Sequence, residues 1–494
     1  MPLHLATMSG KKRSLVEDLA SMPGVTKCGL AVALQTMHAH GVLTSSIGTG
    51  STTAVRKRLA VPLQDLREMQ SPYGPLIRHV SAFGVSTVEV VNPHAYLYHM
   101  AKISDEMSDL LFDASAGGDR AVRIVLYMDS IAPGNPLRPE KSRTTECLYW
   151  TIVDFPDHVL SNVIGWFVFS TIRRTTMDDD IGGPSVFMRI ALQEFWNSDV
   201  GRPDFERGVM VDCRRGACLI RASFAGFLAD EKALKEFMGL KGAGGSKPCI
   251  VCRNVVQFVD ADCMAGSRYV GIDVVDRRLL EHQSNDDIYR IIDRLKHTRA
   301  HSPAQLKHEE QVFGVPYVEG GLLFDDQSRL RVRPVDHYIR DPMHVLLSGG
   351  VASTHTAVLL AALADLPGAR AQAQAFVGCF VMPKAGGRNP RCLLDDKRVT
   401  DDHMRCFASE LLDLAPLLLA FLQDAIAPRD LLVDNVRCYS LLVRILQICT
   451  MGARRGGIVC RRASALCRRA PCPLQTFVPE RDQAQMAPDV AHPR

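Results

Sequence analysis

Four acids, two cysteines and a histidine stand out in this chain as side chains whose types and spacing could do chemistry. Asp129 closes the β-rich run Arg123 to Met128 and is followed by Pro133, Gly134 and Asn135, a strong turn signal. Asp230 closes a second apolar run, Asp341 begins an Asp-x-x-His that ends at His344, and Glu410 precedes the apolar stretch Leu411 to Leu422. Carboxylates are the hard oxygen ligands preferred by Mg²⁺ or Mn²⁺. Two such ions about 3.5 to 4 Å apart activate an attacking oxygen and stabilise a leaving one in phosphodiester chemistry. Each acid also has a plainer reading. Asp129 could serve a turn, and Asp230 could cap the helix that follows it.

Cys249 and Cys252 have the spacing by which two thiolates grip one tetrahedral Zn²⁺. No second pair of that spacing completes the shell, which leaves Cys263, His282, His297, His301, His308 and His344 as completing ligands, or two reduced cysteines in a turn. A redox pair fits less well, because thioredoxin-like motifs open a helix after the first strand of a different fold. His344 could equally cap or hydrogen-bond within a core. Lys241 and Lys247 flank Gly242, Gly244 and Gly245, but the order of a nucleotide-binding P-loop is absent, which makes a nucleotide-hydrolase reading weak and leaves contact with DNA phosphates as the alternative.

The elements that must position these residues follow from periodicity. Strands are expected at Ser86 to Val91, Arg123 to Met128, Cys147 to Phe155, Gly165 to Arg174, Val209 to Cys213 and Cys218 to Leu228, with another near Leu322 to Phe324. One helix is expected through Leu97, Met100, Ile103 and Met107, another over Gly183 to Asn197, and a charged helical stretch over residues 276 to 312. Helices also follow Asp341: Val351 to Leu366, Asp401 to Asp424 and Leu431 to Ile448. Three antiparallel strands, a helix and a further strand, with acids at the first and fourth strands, is the RNase H-like plan. In it the first strand is central and the fourth lies beside it, so Asp129 and Asp230 would converge.

The chain of 494 residues is 47% hydrophobic, enough for two or three ordinary domains, and its net charge of +4 announces no nucleic-acid partner by bulk charge alone. Fifteen scattered cysteines and no secretory signal point to a reduced intracellular compartment. Leu411 to Leu422, interrupted by Asp413 and Pro416, reads as a core helix too short for a bilayer. Residues 1–60 mix a helical stretch, Gly29 to Ala39, with the loop-like Gly48 to Thr53. The tail from Met451, with Arg454-Arg455, Arg461-Arg462 and Arg468-Arg469, reads as disordered and solvated, or as a nucleic-acid contact or nuclear address.

A set of ordered strings resembles one family. Tyr127-Met128-Asp129 with Pro133 to Pro139, Leu228 to Ala233, Lys241-Gly242-Ala243, Lys247-Pro248-Cys249 to Cys252, and Asp341-Pro342-Met343-His344 occur in the order found in CACTA-like, or CMC-group, cut-and-paste transposases and transposon-derived proteins of algae and protists. The resemblance spans roughly residues 80 to 425. It implies an α+β chain with an RNase H-like catalytic domain, a zinc-binding insertion and a helical C-terminal region. The boundaries would be 1–79 as an ill-defined segment, 80–245 as the core, 246–335 as the insertion, 336–450 as the helical part and 451–494 as the tail.

It further implies Mg²⁺ or Mn²⁺ on Asp129 and Asp230, and Zn²⁺ on Cys249, Cys252 and His344. The partner would be DNA in the nucleus, cut and joined by a protein that can oligomerise on it and that does not enter a membrane. Related transposases carry a Glu soon after the Asp-x-x-His, but here Val345, Leu346, Leu347 and Ser348 follow. The third acid is then Asp341, ahead of Glu410. The alternative is an inactive zinc and nucleic-acid-binding derivative, and a third reading is a metal-dependent nuclease without transposition.

Overall fold

A computed structural model describes residues 66–455, apart from 83–85, 132–143, 198, 200, 243–244, 258–268, 273, 275, 381–388 and 401–402. The expectations for Gly29 to Ala39, Gly48 to Thr53, Pro133 to Pro139, Cys263 and the tail beyond Arg455 lie outside the described residues. The chain divides into two compact units, Met1–Asp341 and Pro342–Arg494. The architecture is mixed α/β, with a central sheet of five strands in the first unit and helices in the second.

Among the described residues of the first unit, a short antiparallel pair at Gln70–Ser71 and Gly74–Pro75 precedes an antiparallel hairpin, β1 (Ile77–Ala82) and β2 (Ser86–Val91). The single helix expected next is two, α1 (Pro93–Ile103) and α2 (Asp105–Ala114). Ser104 takes an extended backbone that closes α1, and its Oγ accepts the Met107 N–H at 3.1 Å to cap α2. A serine that satisfies a free helix donor from a non-helical conformation breaks a periodicity that runs on through it.

Three strands then form a meander: β3 (Val122–Ile131), β4 (Thr145–Ile152) and β5 (Phe167–Arg173). Along β3, Ile124, Leu126 and Met128 are buried in the core, while Tyr127 and Asp129 face the other side and are half-buried and exposed respectively. Helix α3 (Pro184–Phe195) packs into the same core, where Trp150 of β4 lies 4.8 Å from the Phe167 ring and 5.3 Å from that of Phe195. Each such side chain contributes about 1.5 to 3 kcal/mol by leaving water.

The run Cys218 to Leu228, expected as one strand, is two. β6 (Val209–Cys213) and β7 (Gly216–Ile220) form a separate antiparallel hairpin, and β8 (Ala222–Ala229) enters the central sheet after a break at Arg221. Helix α4 (Glu231–Met238) follows, and α5 (Asn285–His301) and α6 (Pro303–Phe313) occupy the charged stretch. Leu322 to Phe324 is a single 3₁₀ turn rather than a strand. Its three side chains are all buried and lack the alternation a strand would give them. The fifth strand is β9 (Tyr338–Arg340). The sheet order is β9-β8-β3-β4-β5, with β4 antiparallel to both its neighbours, β8 parallel to β3, and β9 parallel to β8.

The second unit is built on α7 (Val351–Ala364), α8 (Ala369–Gly378), α9 (Ala408–Phe421) and α10 (Val433–Arg455). Leu359, Leu360, Leu363, Leu411, Leu414, Leu418 and Tyr439 share its core. Helix α10 runs past Met451, where the disordered tail was expected to begin. By length and composition alone, Pro342–Ala364 and Ala408–Arg429 are apolar enough to cross a membrane, and both contribute to this core.

Candidate active site

The three parallel strands fix where the acids stand. Tyr127 of β3 pairs with Leu228 of β8, and Leu228 pairs with Ile339 of β9. Residues two further along a strand lie on the same face. Two residues beyond these partners come Asp129, Asp230 and Asp341, so the carboxylates stand at one level across the ends of adjacent strands. The backbone continues in that register: the Asp341 N–H donates to the Ala229 carbonyl at 2.9 Å, and Asp230 is still extended at φ −64°, ψ 162°. Neighbouring strands lie about 4.7 to 4.9 Å apart, which sets the spacing of the row. All three belong to the first unit, and Asp129 is exposed while Asp230 and Asp341 are half-buried.

The same three charges act on Tyr127. Burial is the main cause that holds its phenol well above the usual tyrosine range, and the negative charges of Asp129, Asp341 and Asp230 add to it. Tyr127 is also hydrogen-bonded to Asp129, which gives that carboxylate a fixed neighbour.

Asp230 does keep the capping role open to it from sequence. One carboxylate oxygen accepts the Ala233 N–H at 2.6 Å at the start of α4. A carboxylate has a second oxygen, so capping leaves a donor atom for a cation. Beside the row, Arg340 is neutralised by Glu231 at 2.6 Å. On the other face of β3, Ser130 donates to the buried Glu146 at 2.6 Å, and Arg174 joins Glu146 at 3.5 Å to Glu236 of α4 at 2.6 Å. This network ties the end of β3 to the helix that Asp230 caps.

Cys249 and Cys252 lie together, with the buried Cys252 thiol pushed up to about 11, first by burial and then by its charged and hydrogen-bonded neighbour Cys249. Of the histidines weighed as zinc ligands, the structure sets His282 opposite Cys252 in an isolated antiparallel bridge. The flanking bonds run from Arg253 N to Glu281 O at 2.9 Å and from Gln283 N to Val251 O at 2.8 Å. That pattern marks a non-hydrogen-bonded pair, the type whose side chains are closest. His297 and His301 instead stack on each other along α5 at 4.2 Å, and His308 is exposed on α6. His344 and Glu410 belong to the second unit. Glu410 accepts the Phe407 N–H at 2.9 Å and so caps α9. Among the described residues, no group of three or more His, Cys, Asp or Glu side chains is already gathered to hold a metal ion.

No family model matches this chain, and no curated protein matches it. The site must be argued from its own residues. Sequence reasoning passed over Tyr127, Arg340 and Glu231 as parts of it. Tyr127 was detectable, since it stands two residues before Asp129 on a strand and therefore shares its face. The pairing of Arg340 with Glu231 depends on β8 and β9 lying side by side, and more than a hundred residues separate the two side chains.

Proposed function

We propose that this protein is a transposon-derived DNA nuclease and transposase with an RNase H-like catalytic domain, and that Asp129, Asp230 and Asp341 are its acids. The observation that carries the proposal is the register that puts these three residues at one level on adjacent parallel strands. The sheet order, with the first strand central, two antiparallel strands on one side and two parallel strands on the other, supports the RNase H-like reading. The donor set suits Mg²⁺ or Mn²⁺, being oxygen only. Bound there, such ions would supply charge to activate an attacking oxygen and stabilise the leaving one on a DNA strand.

The chain's own residues have distinct parts. The Tyr127 phenol hydrogen-bonds Asp129, and α4 orients Asp230 through the Ala233 N–H. Asp341 is held by its own backbone bond to Ala229. Asp341 is therefore preferred to Glu410 as third acid, because the strand register sets it level with Asp129 and Asp230, whereas Glu410 lies on a helix of the second unit. Incubating the full chain with duplex DNA carrying paired transposon-like ends should give Mg²⁺-dependent nicks and strand joining. Nicking without joining would leave the nuclease reading.

A second reading has its own support. Val345, Leu346, Leu347 and Ser348 stand where related transposases carry a Glu, as an inactive DNA- and zinc-binding derivative would show. Thermal unfolding separates the two: Mg²⁺ or Mn²⁺ at a hundred times its Kd stabilises a site that binds it by about 2.7 kcal/mol, and leaves a non-binder unchanged.

For zinc, the proposal is a site on Cys249 and Cys252, with His282 favoured as a further ligand by the bridge that sets it opposite Cys252. Thiolate and imidazole donors suit Zn²⁺. Cys252→Ser is expected to lower the zinc content of purified protein from one ion per chain to none, as measured by mass spectrometry of the native protein. Undiminished zinc in that variant would remove the pair from the site.

A further inference from the structure

The loop before the cysteines folds back on the end of α6. The Lys241 N–H donates to the Gly314 carbonyl at 2.8 Å, and a Cβ on Gly314, whose φ is +67°, would lie 2.5 Å from the Lys247 carbonyl. Only glycine permits that approach in that conformation. Gly245 is as tight, with a Cβ placed there falling 2.8 Å from the Lys241 Cβ. The contacts leave a small cleft open to solvent, whose lining includes Lys241, Lys247, Cys249, Gln283 and Phe313. None of its lining residues is acidic.

The two lysines differ in their surroundings. Lys241 reaches Gln311 at 3.2 Å and Glu310 at 4.0 Å. Lys247 is half-buried and has no carboxylate partner among the described residues, its ammonium lying 5.7 Å from the Tyr269 ring. A cation removed from water without an anion is unfavourable, and a ligand that brings the anion relieves that cost.

We infer that the cleft between Lys241 and Lys247 binds a phosphate group. The inference stands apart from the nuclease reading, since it requires no metal and no cleavage. Phosphate matches the site because its oxygens can accept from both ammonium groups and from the Gln283 amide. The group could belong to free phosphate or to a DNA strand, where it would fix the position of the strand without reading its bases.

The test is acylation of the full chain with an amine-reactive ester at mildly alkaline pH, following Lys247 by peptide mass spectrometry and using the exposed Lys397 as internal control. Inorganic phosphate or a single-stranded oligonucleotide, compared with sodium chloride of equal ionic strength, should slow labelling of Lys247 about tenfold when about nine-tenths of the site is filled, and leave Lys397 unchanged. Protection by the oligonucleotide at concentrations where inorganic phosphate has no effect assigns the phosphate to DNA, and Lys247→Gln should then reduce the salt dependence of DNA binding by about one unit of slope. Protection by inorganic phosphate alone assigns the site to a free anion. If neither protects Lys247 beyond the salt control, the inference is overturned, whether or not the protein cleaves DNA.

Discussion

Asp129→Asn is expected to lower Mg²⁺-dependent DNA cleavage by about 10³-fold, the scale on which loss of one preorganised charge-stabilising group is felt in a transition state. The substitution keeps the shape of the side chain and an oxygen acceptor for Tyr127, so the strand end should stay in place. What it removes is one negative charge from a row of three. Without metal, like charges on adjacent strand ends repel, and the variant should unfold at the same temperature as the parent or slightly higher. With Mg²⁺ the order reverses, because the parent gains binding energy and the variant gains less. This crossing of two melting curves is hard to obtain from a merely structural role. If the Asp129→Asn variant cleaved at the parental rate, the chemistry would lie elsewhere.

Much of the sheet was legible in the sequence because its strands are runs of β-branched and aromatic residues bounded by turn signals. Arg123 to Met128, Cys147 to Phe155 and Gly165 to Arg174 match β3, β4 and β5 to within a few residues, and Val209 to Cys213 matches β6 as written. The failures each have a local cause. Cys218 to Leu228 looked continuous because Arg221 interrupts two apolar strands without a Gly or Pro to mark the break. β9 escaped notice because Tyr338–Arg340 is three residues long and shows no period. The buried Leu322 to Phe324 drew the expectation that belonged to it.

The site was legible as residue types and opaque as geometry. Asp129 and Asp230 could be brought together by a topological argument, since each closes a strand. Asp341 could be placed in line only once β9 was found beside β8. Its neighbour Arg340 could be assigned a partner only then. The ligands of the proposed zinc site were open for a different reason: Cys249 and Cys252 are local, but any histidine opposite them comes from a distant loop. Periodicity carries no information about such a bridge as Cys252 with His282.

Gly226 shows how the register of the sheet and the chemistry of the site depend on one another. The pairing of β8 with β3 shifts between Phe224 and Gly226, and Gly226 adopts φ +149° at that bulge. A Cβ there would lie 2.7 Å from the Ile339 Cδ1 and 3.1 Å from the His337 carbonyl, which itself accepts the Phe227 N–H at 2.8 Å. An added methyl needs the Ile339 side chain to turn aside and the His337 carbonyl to give by a few tenths of an ångström, and β9 has only three residues with which to resist. Gly226→Ala should cost about 1 to 3 kcal/mol from the unfavourable backbone alone, read as a lower melting temperature. To the extent that this shift at β9 carries Asp341 with it, cleavage should also fall, by up to about 10²-fold for a displacement of about 1 Å, while binding to DNA is preserved. Gly201→Ala is the matched control, since nothing lies within 4 Å of the position its methyl would take. Parental stability and parental cleavage in Gly226→Ala would mean that the bulge does not set the position of Asp341. If stability fell while cleavage stayed at the parental level, the strain would be confined to the bulge and would not reach Asp341.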